Sequence, residues 1–215
     1  MGTRSAVEGI YCSNIGTERD WSPTMFNGMH RLWLLDISGS HDLYFPEGLE
    51  YLPGSLKCLI WNFWPWKSPP SNFMPHNLFE LRMPYSKLKK LWSGVVHRSY
   101  RMQQLTSSSS TEISKLPSSI LSLDDLEYLN LSYCRNLKSL PSDIQKLKSL
   151  RRLNLTKCLS IDKLPVRPGN LIELDFSETA LEEVPSSSIE HLSILKKLSL
   201  SHCRRLKSPP VGILN

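Results

Sequence analysis

Apolar and polar positions along this chain follow one order that keeps returning. In the stretch from Leu126, apolar side chains fall at the first, fourth and sixth positions (Leu126, Leu129, Leu131), and a small one, Cys134, at the ninth. The order recurs at Leu150, Leu153, Leu155 and Cys158, at Leu195, Leu198, Leu200 and Cys203, and between them at Leu171, Leu174, Phe176 and Thr179. Upstream it extends to units opening at Leu32, Leu56, Leu78 and, more weakly, Met102, with successive intervals of 24, 22, 24, 24, 24, 21 and 24 residues. Alternation over the third to seventh positions is the two-residue period of a strand. A unit this small cannot bury its own leucines, so neighbouring units must stack into a solenoid.

A strand of this length with apolar positions 1, 4 and 6 and a small ninth residue is the leucine-rich-repeat signature. The expected fold is an α/β leucine-rich-repeat solenoid, a horseshoe with a parallel sheet on its concave face and short helices, turns and loops on its convex face. Residues 1–31 form a lead-in or partial repeat, with a strand at Val7–Cys12 and a turn or short helix around Ser22–Phe26. Residues 32–215 form the solenoid proper, about eight repeats. Prolines at the ends of Ile113–Pro117, Leu137–Pro141, Leu181–Pro185 and Leu206–Pro210 end the turn and launch the return segment, since proline cannot donate to a ladder and fixes its own φ. Ser118 and Ser142 then stand where they could cap a short helix or 3-10 turn.

Two stretches break the pattern. Trp61, Phe63, Trp64 and Trp66 crowd the second unit. They are read as thickening the core and covering an open end, with an exposed docking patch as the alternative. In the degenerate unit at 95–114, spacing places Met102 and Leu105 in strand slots, but Ser107 falls where an apolar residue belongs and a serine run continues to Ser110. Either this is a degraded repeat with a looped-out serine tract, or it is a linker between two half-solenoids.

Charge and composition narrow the function. A net charge of +6 is a diffuse basic bias, with no basic run interleaved with aromatics, so nucleic acid is not an expected partner. The first residues lack the apolar core of a signal peptide, and no run approaches the length of a membrane span. The chain therefore reads as cytoplasmic, with the nucleus as a second compartment, and without membrane insertion. Cys134, Cys158 and Cys203 share the ninth slot with Ser86 and Thr179, which marks them as buried thiols bonding to a turn rather than as disulfides or metal ligands. Phosphate-loop, zinc-protease and nucleophile-elbow motifs are absent, so neither an enzyme nor a cofactor is expected.

What remains is the sheet face, where the third, fifth and seventh positions of successive units line up in columns. The third-position column reads Glu80, Gln104, Tyr128, Arg152, Glu173 and Lys197; the fifth reads Arg82, Thr106, Asn130, Asn154, Asp175 and Ser199. The seventh reads Pro84, Ser108, Ser132, Thr156, Ser177 and Ser201. Tyrosine and arginine are the residue types that anchor protein interfaces, and Tyr128 and Arg152 stand in the middle of this surface. The candidate protein-binding residues are Glu80, Arg82, Tyr128, Asn130, Arg152, Asn154, Glu173, Asp175, Lys197 and Ser199.

The segment from Asn72 through Leu78, Leu81, Met83, Pro84, Tyr85, Ser86, Leu88, Leu91 and Trp92 to Gly94 is more specific than the general repeat. It resembles the signature repeat of plant immune receptors that join a TIR domain and a nucleotide-binding domain to leucine-rich repeats. Leu56–Trp61 with Lys67–Ser71 is similar to that family's next unit upstream, and Gly2–Ile10 to its junction with the nucleotide-binding region. The resemblance implies a partner that is a pathogen effector or a host protein modified by one. In a full receptor the nucleotide-binding domain is a further partner, held inactive by the repeats. The family's TIR and nucleotide-binding domains are not in this sequence, and the stretch from Val95 to Ser110 departs from its pattern. The expectation is therefore a fragment or truncated product, against a free-standing adaptor or decoy.

Overall fold

The computed structural model describes residues 6–13, 21–39, 48–66, 68–86, 118–164, 170–185, 188 and 192–208. Among these residues, eight short strands form a single parallel sheet in which every strand neighbours the next in sequence. They are β1 (Gly9–Tyr11), β2 (Leu34–Ile37), β3 (Cys58–Trp61), β4 (Glu80–Arg82), β5 (Tyr128–Asn130), β6 (Arg152–Asn154), β7 (Glu173–Asp175) and β8 (Lys197–Ser199). The register superimposes the fourth position of every unit, so that Ile10, Leu35, Leu59, Leu81, Leu129, Leu153, Leu174 and Leu198 form one ladder. The solenoid expected from the repeat is thus the fold, and the lead-in strand is its first rung.

Burial follows the repeat position. Leu32, Leu35, Leu56, Leu59, Leu78, Leu81, Leu126, Leu129, Leu150, Leu153, Leu171 and Leu174, from the first and fourth positions, are all buried in one core. Each such side chain contributes about 1.5–3 kcal/mol of transfer free energy when removed from water. Leu195, Leu198 and Leu200 of the last coil are only partly covered. Trp61 and Trp64 lie within the core, Trp61 edge-on to Phe26 at 6.4 Å and to Trp64 at 4.7 Å. Their role in thickening the core agrees with the sequence reading, but they sit at the third strand of eight and cover no end of the sheet.

The degenerate unit is where the sheet departs most from the spacing. β4 pairs directly with β5, Glu80 beside Tyr128 and Arg82 beside Asn130, at twice the usual interval. Met102 and Leu105, placed in strand slots by spacing, lie outside the described residues.

On the return side the described chain runs mostly through turns, with 3-10 segments at Ser118–Ser122 and Ile144–Lys146. The Ile144–Lys146 segment is capped by position from Asp143, without a side-chain cap bond, so Ser142 does not take the expected capping role. Near the amino end, turns follow one another from Pro23 to Gly28, with backbone bonds from Met25 to Ser22, Asn27 to Thr24 and Met29 to Phe26.

Candidate protein-binding surface

β3 to β8 lead into the same turn, and that turn decides which side chains the sheet face can offer. At the fifth position, Oδ1 of Asn130, Asn154 and Asp175 accepts a hydrogen bond from the backbone N–H of Ser132, Thr156 and Ser177 respectively, each at 2.9 Å. The eighth residue is then left-handed although it carries a side chain: Phe63, Tyr85, Tyr133, Lys157, Glu178 and His202 have φ between 55° and 62°. From there Phe63, Tyr85, Tyr133, Lys157 and Glu178 donate their N–H to the seventh-position carbonyl of the next coil.

The ninth residue turns inward and bonds to a sixth-position carbonyl. Cys158 donates to Leu131 O at 3.2 Å and Cys203 to Phe176 O at 3.1 Å, both reaching back one coil. Ser86 and Thr179 donate to Met83 O and Phe176 O of their own coils. The described cysteines are free, and the turn-bonding role expected for the ninth slot is what these contacts provide.

These bonds divide the expected site. Asn130, Asn154 and Asp175 spend one oxygen on their own turns, and Ser132 and Ser177 of the seventh column are buried. That column is therefore scaffold more than contact surface. Ser199 pairs its hydroxyl with Ser177 at 2.6 Å. Arg152, Glu173 and Lys197 are exposed, and Glu80, Arg82 and Tyr128 are half-exposed.

Because β4 adjoins β5, Tyr128 lies between two guanidinium groups: Arg82 at 4.8 Å and Arg152 at 4.5 Å from its ring centre. In the column as spaced by sequence, Gln104 would have come between. Arg82 also forms an ion pair with Glu80, whose other oxygen accepts from the Cys58 thiol at 3.5 Å. Burial first, then the Glu80 carboxylate, pushes the Cys58 thiol up to about 12. Beyond the clamp, Arg152, Asn154, Glu173, Asp175, Lys197 and Ser199 surround a depression of about 160 Å³ with Tyr128 at its border.

A second feature was not among the expected site residues. Along the rim, Phe63 and Tyr85 stack with ring centres 4.5 Å apart, and Tyr85 and Tyr133 at 4.0 Å. Lys157 continues the line, 3.2 Å from the Tyr133 hydroxyl and 3.5 Å from the Glu178 carboxylate. Hydrogen bonds from Tyr85 and Lys157 hold the Tyr133 hydroxyl below its ordinary range. The eighth position is apolar in some units and charged in others, so hydrophobic periodicity carries no signal for it. In the unbroken sequence register, moreover, Ser109 separates Tyr85 from Tyr133.

Two stretches, residues 77–96 and 125–147, match the Leucine Rich Repeat family. The disease resistance protein RPP2A of Arabidopsis thaliana is 32% identical over 232 residues, covering 95% of this chain and 18% of that protein. RRS1 and RPP4 of the same plant, also disease resistance proteins, are 40% and 43% identical over 41% and 43% of the chain, which spans 7% and 8% of their lengths. Among solved structures, the Leptospira interrogans leucine-rich-repeat protein LIC12759 aligns over 86% of this chain and 52% of its own, with 20% identity and a TM-score of 0.40. The chain is a leucine-rich-repeat region of the plant disease resistance protein kind.

Proposed function

We propose that this chain is the protein-binding region of a plant intracellular immune receptor, acting in the cytoplasm and also in the nucleus. Its sheet face engages a pathogen effector, or a host protein that an effector has modified. In the resting receptor it holds the nucleotide-binding domain inactive. The observation that carries this reading is the relationship to a disease resistance protein along 95% of the chain. The Tyr128 clamp supports it, placing aromatic and arginine side chains, the common hot-spot types, at the middle of an otherwise polar sheet. The role is one of binding, with no chemical step. A ligand shifts such a receptor toward its active arrangement only by the difference in its affinity for the two arrangements.

The test is recovery of bound proteins from leaf tissue by the tagged chain and by a variant carrying Tyr128→Ala, Arg152→Glu and Lys197→Glu. A set of partners lost only from the variant is expected. Identical partner sets for a variant that still folds would sink the sheet-face assignment. An antibody against residues 72–94, read by denatured mass in the source tissue, separates receptor from adaptor. A band near 24.6 kDa supports a short adaptor or decoy, and a band several-fold heavier supports the receptor.

A further inference from the structure

The open sheet is not uniform in charge or in aromatic content along its length. Over β4 to β6 and their following turns, the outward charges are Arg82, Arg135, Arg152 and Lys157 against Glu80, with Glu178 reaching Lys157 from the turn after β7. Glu80 is bound to Arg82 and Glu178 to Lys157, which leaves Arg135 and Arg152 without a carboxylate at ion-pair distance among the described residues. Arg151, at the opposite rim, is turned to the backbone carbonyls of Lys148 and Asn170. Farther on, the face carries Glu173 and Asp175 against Lys197, and the balance reverses. The aromatic rings Tyr85, Tyr128 and Tyr133 lie on the basic stretch.

We infer that the stretch over β4 to β6 is the docking surface for an acidic protein segment, with a carboxylate set on Arg152 and apolar side chains along the Tyr85–Tyr133 stack. The inference rests on the protein-binding reading above and specifies its partner. Arg152 suits the task because the Tyr128 ring holds its guanidinium in place before binding, so little side-chain freedom is lost when a carboxylate arrives. A guanidinium binds a carboxylate through two parallel hydrogen bonds, a geometry that lysine cannot reproduce. Glu80 tempers the field by neutralising Arg82, and Glu173, the register partner of Arg152, repels an acidic segment that strays toward β7. The segment is thereby confined to the β4–β6 coils.

The experiment selects random dodecapeptides on phage against the immobilised folded chain, then measures each winner by fluorescence anisotropy. The comparison set is wild type, the Arg82→Gln/Arg152→Gln pair, the Tyr128→Ala/Lys197→Glu pair, and Lys146→Gln/Lys148→Gln as a control on the return side. Circular dichroism and melting verify that each variant is folded. The expected winners are rich in Asp and Glu around an aromatic or aliphatic anchor and weaken with added salt. They bind the arginine pair about tenfold or more weakly, while the control is unchanged. Acidic winners indifferent to the arginine pair would overturn the inference. So would neutral or basic winners that lose binding to the Tyr128/Lys197 pair, although these would leave the sheet face as a protein-binding surface. Winners indifferent to every sheet-face substitution, or no enrichment at all, would count against both readings.

Discussion

Among the described residues, six with side chains occupy a backbone conformation usually left to glycine, and each stands at the eighth position of its unit. The left-handed region costs an ordinary residue about 1–2 kcal/mol. It persists here because the turn aims the eighth N–H at the next coil and the ninth side chain into the core. His202 offers a clean test, since it is exposed at the edge coil. His202→Val should lose about 1 kcal/mol or more in urea unfolding, because β-branching is least tolerated at positive φ, while His202→Gly should be neutral or stabilising. The buried thiols yield a pH prediction. Burial raises Cys134 to about 11, and burial together with Glu80 raises Cys58 to about 12. The unfolded thiols titrate near 8.5, so the folded state binds these protons more tightly. Their stabilising contribution is complete below the unfolded value and is lost as pH rises through the folded values. The melting temperature should therefore fall from about pH 9 upward. The fall should be smaller in the Cys58→Ala/Cys134→Ala variant; an identical fall in both would reject this origin.

At the scale of the single coil, the fifth-position amide or carboxylate is a structural member that also faces the partner. Asn154→Ala removes the 2.9 Å bond to Thr156 N and should cost about 1 kcal/mol, whereas Asn154→Asp should retain most of the stability, as Asp175 does the same work one coil on. Equal losses in urea titrations of the two variants would show that the turn does not depend on this acceptor. The distinction guides any reading of binding data, because an alanine scan that ignored it would count a loosened turn as a lost contact. Much of the coil was legible beforehand. Leucines at the first, fourth and sixth positions and a small hydrogen-bonding ninth residue were readable because burial and spacing leave a mark on residue type. The eighth-position conformation was not, because Phe63, Tyr85, Lys157 and Glu178 carry no positive-φ preference. The Asn-to-backbone bonds were hidden for another reason: as a strand's outward residue, Asn130 looks the same whether its amide is free or bound to a turn.

Across the whole molecule, the decisive quantity is which coil stacks on which, and at one junction spacing alone leaves this open. An interval of two repeats between Leu81 and Leu129 reads equally well as one intervening coil or as none. Only stacking energy distinguishes the two, and it turns on whether the Met102 unit has enough apolar side chains to fill a place in the core. The direct pairing of β4 with β5 is what makes Arg82 a neighbour of Tyr128 and Tyr85 a neighbour of Tyr133, so the clamp and the rim stack both follow from it. The pairing can be tested by a cross-link between Glu80→Cys and Tyr128→Cys, in a background where Cys12 and Cys58 are replaced by alanine. Adjacent parallel strands lie about 4.8 Å apart, within the span of a disulfide; with a coil between them the separation is about 10 Å, beyond its reach. Mild oxidation should close the bond in the folded chain and shift its mobility on a non-reducing gel, and the melting temperature should be kept or raised by the loop closure. A pair that stays reduced while a β5–β6 control pair at Leu129 and Leu153 remains buried and native would place another coil in the gap. In that arrangement neither the arginine clamp nor the tyrosine stack could exist.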